Sequence, residues 1–218
     1  MQNNAIAQKA IEEVLQQNFG VTEQFLQVHQ LVYKDGQPEI ILIDDISRKD
    51  AHVIYFAVKE EKFYLAVVVE TSPEVAVRWV YTEDYHSVYF SATSGTLNAT
   101  QLVTHTILIP TESWNKGDSR KFYKNQHKTS AVIIRPHDEP GEFEAKLDKL
   151  LDILERDKQG IITLSEKADT SINVISIYHN GNTMLGGPVI SRNAIKRLAA
   201  LNLEIGFDNY AEGNFFTD

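Results

Sequence analysis

A helical stripe in the second half of the chain constrains its fold more than any other feature. Phe143, Leu147, Leu150, Leu151 and Leu154 recur at three- and four-residue spacing after Pro140-Gly141, the repeat of an amphipathic α-helix. Such a stripe must be buried against a second layer. Residues 129–135 are rich in β-branched side chains, and residues 87–93 and 171–178 read as further strands. Helices laid on strands in this way make an α+β protein.

The second half then reads in order. A strand over 87–93 leads to a helix over 97–108, capped by Asn98 or Thr96, with Leu102, Val103, Thr106 and Ile107 inward and Pro110 ending it. Residues 112–117 are extended, 129–135 a strand, and the long helix follows. A further helix covers 158–167 after a bend near Gly160, and a strand covers 171–178. A Gly-rich loop over 180–188 precedes a helix capped by Ser191, with Ile195, Leu198 and Ala199 inward, and 203–210 is the closing strand. This is the split βαβ pattern of ferredoxin-like folds, extended by a helix and a strand.

The first half differs. Ala5, Ala10, Ile11, Val14, Leu15 and Asn18 lie near one face of a helix that Gly20 closes. Strands are expected over 25–33, 39–43, 52–58, 63–70 and 75–81, with Asp35-Gly36 as a hairpin turn. That is one helix and an antiparallel meander of about five strands. The polar, acidic stretch 82–86 divides the chain into domains 1–85 and 86–218, and so short a linker predicts that they pack together.

Composition excludes several classes. With no cysteine, there are no disulfides, thiolate metal sites or cysteine nucleophiles, and a reducing compartment fits. The N-terminus lacks the basic and apolar regions of a signal peptide. The longest apolar run, 65–69, cannot span a bilayer. The reading is cytoplasmic, with no membrane partner. Net charge is −9; residues 1–85 carry 14 acidic against 7 basic side chains. This opposes nucleic-acid binding and suits a basic protein partner such as a toxin. It also suits plain solubility.

Trp114-Asn115-Lys116-Gly117-Asp118 brings a large ring, a turn and charge together, as in a loop held over a core. In one reading the ring is a ligand platform, and Lys116 and Asp118 are polar contacts. In the other, preferred because Trp is usually buried, the ring anchors the loop, Gly117 takes a positive φ and Asp118 bonds backbone amides. Lys116, Arg120, Lys121, Lys124, Lys128 and Arg135 face only two acids between 112 and 135, with Phe122 and Tyr123 interleaved. That mixture suits phosphate contact or stacking, but a solvated loop is the preferred reading because the whole chain is acidic. The candidate ligand-binding set is Trp114, Lys116, Asp118, Arg120, Lys121, Lys124 and Lys128. Residues 181–187 lack the spacing of a phosphate-binding loop. His29, His52, His86, His105, His127, His137 and His179 are scattered, without a helical metal spacing. No catalytic residue, metal or cofactor is expected.

The 114–118 run resembles the W-x-K-G-D signature of a bacterial domain-of-unknown-function family, number 4279. The stretch Leu198-Ala199-Ala200-Leu201-Asn202-Leu203-Glu204-Ile205-Gly206-Phe207-Asp208-Asn209-Tyr210 is similar to that family's closing pattern, and the 147–154 helix lies between the two. The resemblance covers residues 87–212. It implies the fold and a bacterial origin, and it carries over no catalytic residue. The first domain looks like the helix-plus-sheet partners found in bacterial immunity and interaction proteins. The expected function is a non-enzymatic, immunity-type interaction protein that binds a basic partner through its acidic first domain. The alternative is a small-ligand or anion-binding regulatory module using the 116–128 loop.

Overall fold

The computed structural model describes residues 2–120, 124–181 and 187–216. Two helices open the chain, α1 (Gln2–Gln16) and α2 (Gly20–Val28). The inward face of α1 is Ile6, Ala10, Ile11 and Val14, while Leu15 and Ala5 are exposed. Gln17, at φ 54°, ends α1, so Gly20 opens the next helix instead of closing the first. The strand expected from Phe25 is therefore helical. A short apolar run fits either period, and here a buried acid decides. Glu13 accepts hydrogen bonds from the Phe19 amide at 3.0 Å and the Thr22 hydroxyl at 2.6 Å, capping α2 from the preceding helix.

Next comes a two-stranded hairpin, β1 (Tyr33–Lys34) and β2 (Gln37–Pro38). Asp35 and Gly36 turn it with φ of 52° and 80°, the signs of a type I′ turn. The meander is β3 (Ile40–Asp44), β4 (Ala51–Ala57), β5 (Tyr64–Glu70) and β6 (Ala76–Glu83), antiparallel in that order. The two faces follow strand alternation. Ile54, Phe56, Leu65 and Val67 pack on Ile6, Ala10, Val14 and Phe25 of the helices. Val53, Tyr55, Ala66 and Val68, with Trp79 and Tyr81, form the other face.

Asp84 alone separates β6 from β7 (Tyr85–Ser94), the first strand of another sheet. After β7 come α3 (Ala99–Val103), β8 (Glu112–Trp114), β9 (Ser130–Ile134), α4 (Phe143–Leu154), α5 (Lys158–Lys167), β10 (Asp169–His179), α6 (Arg192–Ala200) and β11 (Glu204–Glu212). They form a five-stranded sheet in the order β11-β10-β7-β9-β8, with β10 and β11 parallel and the other pairs antiparallel. The helical stripe packs on Phe90, Val132 and Val174 of this sheet.

Three local expectations are corrected. The helix expected over 97–108 is only α3, capped by Asn98 in a capping box with Gln101. Asp157 accepts from the Thr106 hydroxyl and the Ile107 amide, both at 2.7 Å, and holds that stretch out of a helix. The bend before α5 lies at 155–157, where Asp157 caps Gly160, and so precedes the glycine. In α6 the buried residues are Ala194 and Leu198; Ile195 and Ala199 face solvent. The two halves share a core. Ile177, Ile175, Tyr85 and Phe216 pack with the apolar cluster of the first half.

Candidate functional site

Residues 114–120 and 124–128 are held together by backbone hydrogen bonds from the amides of Gly117, Arg120 and His127 to the carbonyls of His127, Asn125 and Asp118. Trp114 ends β8, an edge strand, so its ring is half-buried and stacks on His127 with centroids 4.6 Å apart. It does not enter the core, because an edge strand offers cover on one side only. Asn115 Oδ1 accepts the Ala99 amide at 2.9 Å and so steadies the start of α3. Asp118 Oδ2 accepts the Asn115 amide at 2.7 Å, and Gly117 takes φ 91°. The Lys116 amide donates to Ser130 Oγ at 3.0 Å, and its ammonium group donates to the Gly95 carbonyl at 3.4 Å. The signature run thus builds a turn, as the structural reading expects of Gly117 and Asp118. Arg120, Lys124 and Lys128 are exposed. Lys121, Phe122 and Tyr123 lie outside the described residues, as do 182–186 of the Gly-rich loop.

A partly open cleft lies between the two halves. The outer face of the first sheet, with Leu42, Val53, Tyr55 and Tyr81, meets the N-terminal half of α4 across a cavity of about 460 Å³. Helical spacing puts Glu142, Lys146 and Lys149 along the cavity, with the small Ala145 between them. Residues 44–48, the end of β3 and the loop after it, also line it. There Asp44 Oδ1 accepts the Ile46 and Ser47 amides at 2.9 and 3.0 Å. A second cavity of about 250 Å³ shares Tyr81 and Glu142 and adds Glu83, Asp84, His86 and Tyr178.

Titratable groups crowd this junction. Tyr81 and Glu83 stand two apart on β6 and so share a face, and Tyr55 and Tyr81 pack in one cluster on that side of the sheet. Glu83 is 7% exposed. Burial pushes its carboxyl up to about 7, against the hydrogen bond from Tyr81. Both tyrosine hydroxyls are raised well above their usual range, by burial first and then by the Glu83 charge. Lys146 is only 4% exposed, and its Nζ donates to the His86 carbonyl at 2.6 Å. Burial lowers its ammonium to about 8, opposed by Glu139, Asp138 and Glu83. His86 falls to about 4, by burial and then by Lys146. Burial raises Asp84 to about 6, and its Oδ1 has no partner among the described residues.

Shifted groups gathered at a cavity make it a candidate functional site. With its carboxyl raised to about 7, Glu83 can accept hydrogen bonds as a carboxylate or donate one as an acid. Among the described residues no three His, Asp or Glu side chains stand close enough to hold a metal ion, and no helix is long and apolar enough to cross a membrane.

Sequence reasoning missed this site because its parts come from three distant stretches. One signal was present: Lys146 falls on the buried stripe of α4, beside Leu147, where a charge is out of place. The scattered histidines hid a second pairing, for His29 and His179 meet with Nε2 atoms 2.8 Å apart.

Residues 83–212 match the family described as Domain of unknown function (DUF4279). No curated protein and no solved structure matches the chain. The matched span contributes residues 139–142 and α4 to the larger cavity, and the residues before it contribute the opposite wall.

Proposed function

Since the chain belongs to domain-of-unknown-function family 4279, matched over residues 83–212, we propose its role from geometry: a non-enzymatic regulatory module that holds a small ligand between β4, β6 and α4. This takes up the alternative, ligand-binding expectation in place of the immunity-type one and moves its site from the basic loop to the cleft. One observation carries the reading. The cavity of about 460 Å³ is bordered by a buried ammonium group, that of Lys146. Small-molecule sites span about 300–1,000 Å³ and place a few polar groups in an apolar wall.

The test is the melting temperature of the full chain against amino acids, nucleotides, phosphosugars and carboxylic acids. A ligand at one hundred times its dissociation constant adds about 2.7 kcal/mol of stability. Ala145→Trp, a substitution at an exposed position of α4, fills the cleft and should remove the shift. No shift with any compound, or a shift kept by Ala145→Trp, overturns the reading.

The second half reads as a ferredoxin-like core. The order β10-β7-β9-β8, with β7 and β8 both antiparallel to β9, supports a split βαβ unit to which α6 and β11 are added. A bacterial, cytoplasmic setting belongs to the same proposal, and the lack of cysteine suits it. An immunity-type interaction protein is the second reading, favoured by the excess of 14 acids over 7 bases in residues 1–85. It requires a basic partner, encoded beside this gene, whose affinity falls steeply with salt. A salt-independent complex, or no complex with the neighbouring gene product, counts against it.

A further inference from the structure

The charges lining the cleft sort into those already bound and those left over. Four carboxylates and three cations line the cavity. Asp44 is committed to the Ile46 and Ser47 amides, and Glu139 pairs with His137 at 2.9 Å. Arg48 lies over the Trp79 ring at 4.9 Å. Asp45 and Glu142 remain, together with the ammonium groups of Lys146 and Lys149. Among the described residues none of these four charges is hydrogen-bonded, apart from the one bond from Lys146 to the His86 carbonyl. With three N–H donors, one carbonyl acceptor and the Tyr85 ring 5.7 Å away, Lys146 at 4% exposure remains short of hydrogen-bond acceptors. A buried polar group in that state calls for a ligand or water.

We propose that the cleft binds a zwitterionic α-amino acid with an apolar side chain, an inference that rests on the cleft reading above. Its carboxylate sits at Lys146 and its ammonium group at Glu142. Glu142 is the N-cap of α4, and its carbonyl accepts the Lys146 amide at 3.2 Å, so the two side chains leave the start of the helix one turn apart, close enough to bracket the charged end of one amino acid. A simple anion would be drawn to Lys146 and repelled by Glu142, and a simple cation the reverse. Only a molecule carrying both charges satisfies both. The remaining wall is Leu42, Val53 and the rings of Tyr55 and Tyr81, which accept an apolar side chain.

The experiment is titration calorimetry on the full chain at pH 7.5 with L-phenylalanine, phenethylamine and 3-phenylpropanoate, which share a ring and differ in charge. The amino acid should bind at least tenfold more tightly than either half. Lys146→Met should bring L-phenylalanine down to the level of phenethylamine, and Glu142→Gln to that of 3-phenylpropanoate. Lys149→Met, at an exposed position, weakens L-phenylalanine severalfold and serves where Lys146→Met does not fold. If a half-ligand binds as tightly as the amino acid and Ala145→Trp abolishes it, the zwitterion proposal falls and the cleft stands. The same holds if only a compound of another class shifts the melting temperature and loses that shift in Ala145→Trp. If no compound binds, both fall.

Discussion

His29 Nε2 and His179 Nε2 lie 2.8 Å apart, across 150 residues of chain and across the junction of the two halves. The Gly181 amide donates to His179 Nδ1 at 3.0 Å, so the His179 proton is on Nε2. His179 therefore donates to His29, whose proton is on Nδ1, 4.0 Å from Glu61. Phe25, Phe63 and Phe216 surround the pair. Charging either ring would break this arrangement.

The pair gives a pH prediction. Burial lowers His29 below its usual 6.5, and burial plus the neighbouring His29 takes His179 to about 4. Depressed folded-state values give stability that is complete above pH 6.5 and lost as pH falls towards 4. His86, also near 4, adds a loss of the same sign. Glu83 and Asp84, raised to about 7 and about 6, act oppositely and cost stability as pH rises through the same window. The difference between the wild type and the His29→Phe/His179→Phe variant isolates the pair. Melting from pH 7.5 to 4.5 should show the wild type losing more stability towards acid than the variant. Equal slopes contradict this account.

Glu13→Ala should lower stability by about 1–3 kcal/mol, the cost of an uncapped helix end and unpaired buried donors. Urea denaturation measures it. Glu13→Gln, which keeps an acceptor oxygen, should recover part of the loss. An unchanged midpoint for Glu13→Ala would mean that α2 is held by packing alone.

Asp118→Ala and Trp114→Ala test the signature loop. Each should cost about 1–2 kcal/mol, from a lost backbone cap or a lost ring stack, and neither should alter ligand binding in the cleft. A loss of 3–5 kcal/mol for Trp114→Ala, the range of core aromatics, would place the ring deeper than its half-buried position.

Gly213→Ala tests the packing of residues 213–216 on the first half. Gly213 has φ 85°, and an added Cβ would come within 2.7 Å of the Phe63 ring. Asn214 Nδ2 also donates to the Val28 carbonyl at 2.8 Å. Differential scanning calorimetry should show destabilisation by more than about 1 kcal/mol. A neutral result would mean that this stretch is not tied to the first half.

Local patterns were legible where one period had no rival. The α4 stripe, the Asp35-Gly36 turn and the β-branched run of β9 could each be read from their residues. Phe25 misled because nine residues of mixed apolar character fit a strand as well as α2, and the deciding acid, Glu13, lies in another helix. Ile107 misled because its helical spacing is overruled by Asp157, 50 residues away. The cleft was illegible for the same reason. Tyr55, Tyr81 and Lys146 carry no shared local motif, and only the packing of a sheet face against a helix brings them together.

The cleft is tested most directly by amide chemical shifts of the full chain on titration with L-phenylalanine. The account predicts saturable shifts confined to residues 44–48, 81–83 and 141–149, with residues 114–120 and 124–128 unmoved. Shifts centred on the 114–128 loop, or none at any concentration, would contradict it.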